Sequence, residues 1–346
     1  MAYTTIDDPE AYFQSALYTG TGSELAVTLA GDTDMQPDWV WLKGRSFADN
    51  HMVFDSARGV TKYMHPNTGA AESTAAETLK SFDSDGFTIG TESSMNTSSG
   101  THVGWCWNTQ GGAGSSNTAG TINSTTTSVG ATQGISISTY TGTNTAATIG
   151  HGLGAVPKMI IVKRRNGSAV WYVHHQNLGS ANYHIVITTT AVQGTGTGQW
   201  NDTLPTSTVF SVGTGSDTNG SSDTYVAYCF APKQGFSKFG TYEGNGAADG
   251  TFVYTGFKPA FVMTKSIDST SSWFIYDNKR EGFNVDNDAL IAEATDAEAT
   301  TDQIELLSNG FKLRASGDPN VAETYIYMAF AEAPLVNSNG VPCNAR

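Results

Sequence analysis

Residues 224–231 read TYVAYCFA, and residues 324–331 read TYIYMAFA. Three further landmarks keep the same order ahead of each. A turn reads YTGTG at 18–22, YTGTN at 140–144 and YEGNG at 242–246. A proline-led apolar run ending in lysine reads PDWVWLK at 37–43, PKMIIVK at 157–163 and PAFVMTK at 259–265. HMVFD at 51–55, WYVHH at 171–175 and WFIYD at 273–277 come next, and THVGWCW at 101–107 closes the first set. From first to second copy the landmarks are offset by 122, 120, 120 and 123 residues, and from second to third by 102, 102, 102 and 100. Offsets this constant mean one structural unit used three times.

The closing run of each unit alternates. Val103, Trp105 and Trp107 match Val226, Tyr228 and Phe230, and then Ile326, Met328 and Phe330. Period two belongs to a strand, because successive side chains leave a strand on opposite faces. Tyr225, Ala227 and Cys229 on the other face are also apolar, which suits a strand buried between two layers. The proline-led runs read as central strands, with Pro at the first position, where its missing N–H is tolerated. Each unit spans about 95 residues with Gly-rich turns, twice the length of a propeller blade. The fold expected is therefore all-β: three tandem antiparallel β-sandwich-like modules related by internal repeat, with a short N-terminal helix. The boundaries expected are a 1–12 N-terminal segment, module 1 at 13–108, module 2 at 135–231, module 3 at 236–332 and a 333–346 tail. Asp8, Pro9 and Glu10 supply the cap, first turn and acidic start of the helix.

Between the first two modules, 109–134 is a Gly/Ser/Thr-rich linker or arm; within 111–134 only Ile122 and Val129 are apolar apart from Ala. It cannot build a core of its own. We expect a flexible linker or, in preference, an arm that orders by adding a strand to a neighbour's edge. Residues 286–305 carry seven acids and no base and read as a solvated loop or short helix.

Charged residues make up 14% of the chain, below the roughly 25% of ordinary domains. The formal charge is −14, which argues against nucleic acid, since phosphate binding needs clustered cations. Lys163-Arg164-Arg165 is the longest basic cluster and reads as a solvated strand end. No apolar run approaches the ~18 residues of a membrane span, and the N-terminus lacks a signal-peptide pattern, so folding in a cytoplasm is expected.

The search for chemistry returns structural readings. Cys106 and Cys229 hold matched positions where module 3 has Ala329, which fits small core residues better than a nucleophile or a disulfide. Cys343 lies in the tail. His174-His175 falls at a strand end, and no metal-ligand spacing occurs among the seven histidines. Asp55 and Asp277 could suggest a hydrolytic carboxylate pair, but they are matched positions in separate modules, far apart in a tandem array. DSDG at 83–86 reads as a turn before the Phe87 strand, and GNGAADG at 244–250 as a turn rather than a phosphate loop. The sequons at Asn96, Asn123, Asn166, Asn201 and Asn219 read as ordinary Asn turns. Trp39, Trp41, Trp105, Trp107, Trp171 and Trp273 belong to the core. Trp200, Tyr183 and Tyr242, beside Gly-rich turns, are the aromatics that could be exposed for sugar stacking. No catalytic, metal or cofactor residue is assigned, and the ligand-binding residues are left open.

PDWVWLKGRS, HMVFDSARG, SFDSDGFTIG, GHGLGAVPKMIIVKRRN, SKFGTYEGNGAADGTFVYTGFKPAFV, NGFKLR and TYIYMAFAE resemble a repeat-bearing family of virion proteins of tailed, mostly marine, bacteriophages. The resemblance runs from about residue 13 to 332. It implies a particle component, assembled in the host bacterial cytoplasm: a tail fibre or baseplate-associated adhesin, or alternatively a head decoration bound to the viral shell. It carries over no catalytic residue, and a glycan-degrading tailspike is the enzymatic alternative to a non-enzyme. Partners expected are other virion proteins and a host surface glycan or protein. A homotrimer is expected, with the reservation that three modules in one chain could imitate a trimer by themselves.

Overall fold

Each unit contains the same antiparallel order of four strands, which is the whole main sheet in the first unit and part of a seven-stranded sheet in the second and of a five-stranded sheet in the third. The computed structural model describes residues 2–280, 288–301 and 303–343. The opening strands are Phe13–Thr19, Ile135–Thr141 and Ser237–Glu243. Each pairs with a closing strand, Thr101–Trp107, Thr224–Phe230 or Thr324–Pro334. The closing strand pairs in turn with the proline-led strand, Trp39–Gly44, Met159–Arg164 or Phe257–Ser266. A short fourth strand follows, Met52–Asp55, Tyr172–His175 or Phe274–Asp277. Registers agree across copies: Leu17 faces Val103, Thr139 faces Val226 and Thr241 faces Ile326.

A smaller sheet lies over one face of each main sheet. It contains Leu25–Thr28, Gly86–Ile89 and Leu79–Asp83 in module 1. Module 2 uses Ala147–Gly150 with Val209–Val212, and module 3 uses Phe252–Tyr254, Gly310–Leu313 and Ile304–Leu307. Val40, Leu42, Cys106 and Phe87 fill the space between the layers in module 1, and Ile160, Val162, Cys229 and Phe210 fill it in module 2.

The opposite faces do not point to water. Trp39, Trp105 and Trp107, then Ile161, Tyr228 and Phe230, then Phe261, Met328 and Phe330 belong to one continuous core drawn from all three modules. Trp39 stacks on Trp107 at 4.2 Å and on Tyr228 at 4.9 Å, and Phe330 lies 6.2 Å from Phe230 and 5.6 Å from Phe13. The modules are therefore arranged about a shared aromatic centre rather than strung out in line. Period-two strands apolar on both faces satisfy either arrangement, which is why alternation alone predicted burial and not its partner.

Several expectations are corrected. The segment 109–134 orders against its own chain: Thr126–Gly130 pairs with the opening strand Ile135–Thr141 of module 2, and Ile122 bridges to Ile149. Residues 288–301 and 303–305 contain no helix; Leu290–Ile291 extends the sheet of module 3 and Ile304 begins a strand. The remainder of the 286–305 stretch lies outside the described residues. The N-terminal helix is a single 3-10 turn, Pro9–Ala11, capped by Asp8, whose side chain accepts from Glu10 N.

Candidate functional site

The recurring YTG or YEG turn explains itself once packed. Tyr18, Tyr140 and Tyr242 each donate a hydroxyl to a carbonyl, Met95 O, Thr218 O and Pro319 O, at 2.7–2.8 Å. A Cβ on Gly20, Gly142 or Gly244 would collide with Thr97 O, Gly220 O or Val321 O, so only glycine fits. A buried asparagine then clamps the turn. Asn96, Asn219 and Asn320 accept from Thr21 N, Thr143 N and Asn245 N, and each donates to two loop carbonyls. Asn96 and Asn219 are thus internal clamps rather than surface turns. Their fixed distance from the closing strand was the available signal.

The residues that looked chemical meet at the three junctions between modules. Lys43, Lys163 and Lys265 are buried, and their Nζ atoms reach Thr295 O, Gly69 O and Thr190 O in the adjacent module at 3.1–3.4 Å. The same three carbonyls accept from the amides of Asp49, Ala169 and Ser271. Burial holds each of these ammonium groups down at about 8. Lys163 is therefore not the solvated strand end expected, and Arg165 beside it pairs with Glu72 of module 1 at 2.9 Å. One step along, Trp171 Nε1 donates to His65 O at 3.0 Å and Trp273 Nε1 to Val186 O at 2.8 Å. His51 takes that place in module 1. Its Nδ1 accepts from Trp41 Nε1, so Nε2 carries the proton and donates to Ile291 O at 2.9 Å.

Asp55 and Asp277 sit at two different junctions, both fully buried. Asp55 pairs with Arg58 at 2.5 Å and accepts from Tyr228 of module 2 at 2.6 Å. Asp277 pairs with Arg280 at 2.6 Å and accepts from Trp105 of module 1 at 2.9 Å. Each arginine continues to a glutamate, Glu72 or Glu298, which also binds an arginine of the neighbouring module, Arg165 or Arg45. Burial raises the pKa of both glutamates, but their arginines outweigh it and hold them below the usual range. A carboxylate with its lone pairs taken up by a guanidinium and a core aromatic has no free face for a substrate. At the third junction His175 Nε2 lies 3.3 Å from Tyr327 O, and burial holds His175 near 3, so it is neutral.

Cys106 and Cys229 are buried and Cys343 exposed, all three as free thiols. Among the described residues no group of three or more His, Cys, Asp or Glu is placed to hold a metal ion, and no helix is long and apolar enough to cross a membrane.

One surface feature stands apart. A cleft of about 550 Å³ opens along module 3, between the opening strand Ser237–Glu243 and the edge strand Phe252–Tyr254. Phe252 and Tyr254 line it at 45% and 47% exposure, and they are the exposed aromatics among the described residues. Lys238 Nζ lies over the Tyr254 ring, 5.4 Å from its centre, and donates to Tyr254 O at 2.6 Å. Sequence reading chose other aromatics. Trp200 and Tyr242 are buried and Tyr183 is half-buried. Phe252 and Tyr254 alternate about buried Val253, and that period-two pattern was the signal available. A family model described as a domain of unknown function (DUF7483) matches residues 8–334. No curated protein matches.

Proposed function

The chain belongs to the DUF7483 family, and on that premise we propose that it is a non-enzymatic structural protein of a bacteriophage particle, placed at a tail fibre or baseplate, where it touches the host surface. One observation carries the contact role. The buried charges and aromatics that the repeat brings together are engaged at module junctions, while the two large aromatics left in water among the described residues rim a cleft. Exposed aromatic pairs beside a groove are typical of surfaces that bind something. The resemblance of the repeat phrases to phage virion proteins supports the location, and the acidic, charge-poor surface suits a body that stays soluble without attracting nucleic acid.

Three modules closed about one core already give a single chain the shape that many particle proteins reach by trimerisation. Imaging of intact particles tests the reading. A few copies at the tail tip are expected, together with adherence of purified protein to host cells that Phe252→Ser with Tyr254→Ser abolishes. High copy number over the shell would replace this reading by head decoration, and absence from purified particles would sink both.

A further inference from the structure

Module 2 and module 3 differ at one edge. In module 2 residues 115–130 close it. Thr125 N donates to Thr139 O at 2.7 Å, and Ile122 N donates to Thr148 O at 3.0 Å. Ile122 is buried, and Val129 packs against the same cluster beneath. In module 3 the matching positions are Thr241 on the opening strand and Phe252 on the cover strand. Register turns the Thr241 backbone outward, as it does Thr139, and among the described residues no hydrogen bond from outside the sheet meets it. Of the two neighbouring outward carbonyls, Phe239 O accepts from the side chain of Gln176 and Glu243 O from Thr251 Oγ1, each at 2.6 Å, which leaves Thr241 open between two side-chain contacts. Where module 2 holds its own strand, module 3 holds the cleft of about 550 Å³.

We propose that this cleft is a strand-acceptor site for an extended segment of a partner polypeptide, rich in Gly, Ser and Thr with two spaced aliphatic side chains. The segment adds antiparallel along Ser237–Glu243, pairs with Thr241, and seats the aliphatic group equivalent to Ile122 beside Phe252. The chemistry of the occupant is read from 115–130, which serves that purpose one module earlier. That segment is itself committed, since Ile122 is buried in module 2, so the strand for module 3 comes from another chain. The outward N–H and C=O of Thr241, flanked by carbonyls held only by side-chain donors that an incoming main chain can replace, select peptide over carbohydrate, because main-chain pairing supplies affinity and the flanking pocket supplies selectivity. The inference concerns the same cleft as the contact reading and names its occupant; it does not require the particle location.

The probe is a labelled synthetic peptide covering residues 113–131, titrated into the full-length protein. Saturable binding is expected. It should weaken about tenfold or more with Thr241→Pro, which removes an outward N–H on an edge strand, and with Tyr254→Ser. If Thr241→Pro disturbs folding, the same peptide N-methylated on alternate amides makes the test with the protein untouched, and it should not bind. Equal affinity of the methylated peptide, no binding of the parent peptide, or an oligosaccharide occupying the cleft while the peptide fails would each overturn the proposal. Host-cell adherence measured in parallel separates this outcome from the contact reading: adherence lost on Phe252→Ser without peptide binding leaves the reading and removes the strand.

Discussion

Two junctions of the ring are built on buried charge and the third is not. Where module 1 meets module 2, the set is Asp55, Arg58, Glu72, Arg165 and Tyr228; where module 3 meets module 1, it is Asp277, Arg280, Glu298, Arg45 and Trp105. Where module 2 meets module 3, the same five places in the repeat hold His175, Leu178, Gln193, Ile267 and Met328, and Leu178, Ile267 and Met328 belong to the common core. Every member of the charged set has changed together. Removing part of a buried ion network strands a charge in the interior, whereas exchanging the whole for apolar groups of similar size is close to neutral. The loss of the indole or phenol donor at Met328 is matched by loss of the carboxylate acceptor at His175, which fits a set that works only when complete.

The largest test breaks one charged junction. Asp277→Ala should cost about 3–5 kcal/mol, because Arg280 is left buried beside Trp105. His175→Ala, at the apolar junction, removes two neutral hydrogen bonds, to Tyr327 O and from Asn177 N, and should cost about 1–3 kcal/mol. Midpoints of denaturant unfolding compare the two, and equal losses would erase the distinction between junctions. A gentler test converts one junction into the other. Asp55→His, Arg58→Leu, Glu72→Gln, Arg165→Ile and Tyr228→Met together should be neutral or stabilising by up to about 4 kcal/mol. A loss larger than that of Asp55→Ala alone would show that the third junction depends on something besides these five residues.

The smallest effect is one that the three junctions share. Lys43, Lys163 and Lys265 stand near 8, below the ordinary 10.5, through burial. The unfolded chain therefore holds more protons than the folded one above about pH 8, and stability should rise with pH there. The rise becomes shallower above about pH 9, where burial keeps the thiols of Cys106 and Cys229 protonated in the folded chain after they ionise in the unfolded one. Lys265→Met should flatten the pH 8–9 rise by about a third in thermal unfolding followed across that window. An unchanged slope would mean that these ammonium groups are solvated.

Strand identity, strand faces and the threefold offset were legible because they follow from period two and from spacing. Val103, Trp105 and Trp107 face the core that alternation assigned them. What lay on the far side of that face was not legible. An apolar strand face reads alike whether it meets its own module or two others, so Asp55 and Asp277 read as matched carboxylates far apart in a tandem array rather than as junction acceptors. The composition of 111–134 excluded a core, and rightly so, but composition does not say whose edge an extended segment will join; Ile122 and Val129 were the clue. At the cleft, Phe252 and Tyr254 were passed over because large aromatics elsewhere in this chain are buried by default, and only the edge position of their strand leaves them in water.

The common centre has a consequence for how the protein comes to be made. Phe13 stacks against Phe330, so residues near opposite ends of the chain complete the same patch of interior. A nascent polypeptide that has emerged only as far as residue 108 presents the indoles of Trp39, Trp105 and Trp107 with nothing to cover them, and it must wait for more than two hundred further residues before the last neighbour arrives. Such a half-made chain is sticky by construction. Shortened versions that stop after the first or second unit should accordingly be retained by chaperones or precipitate, although each unit taken alone has a complete two-layer outline.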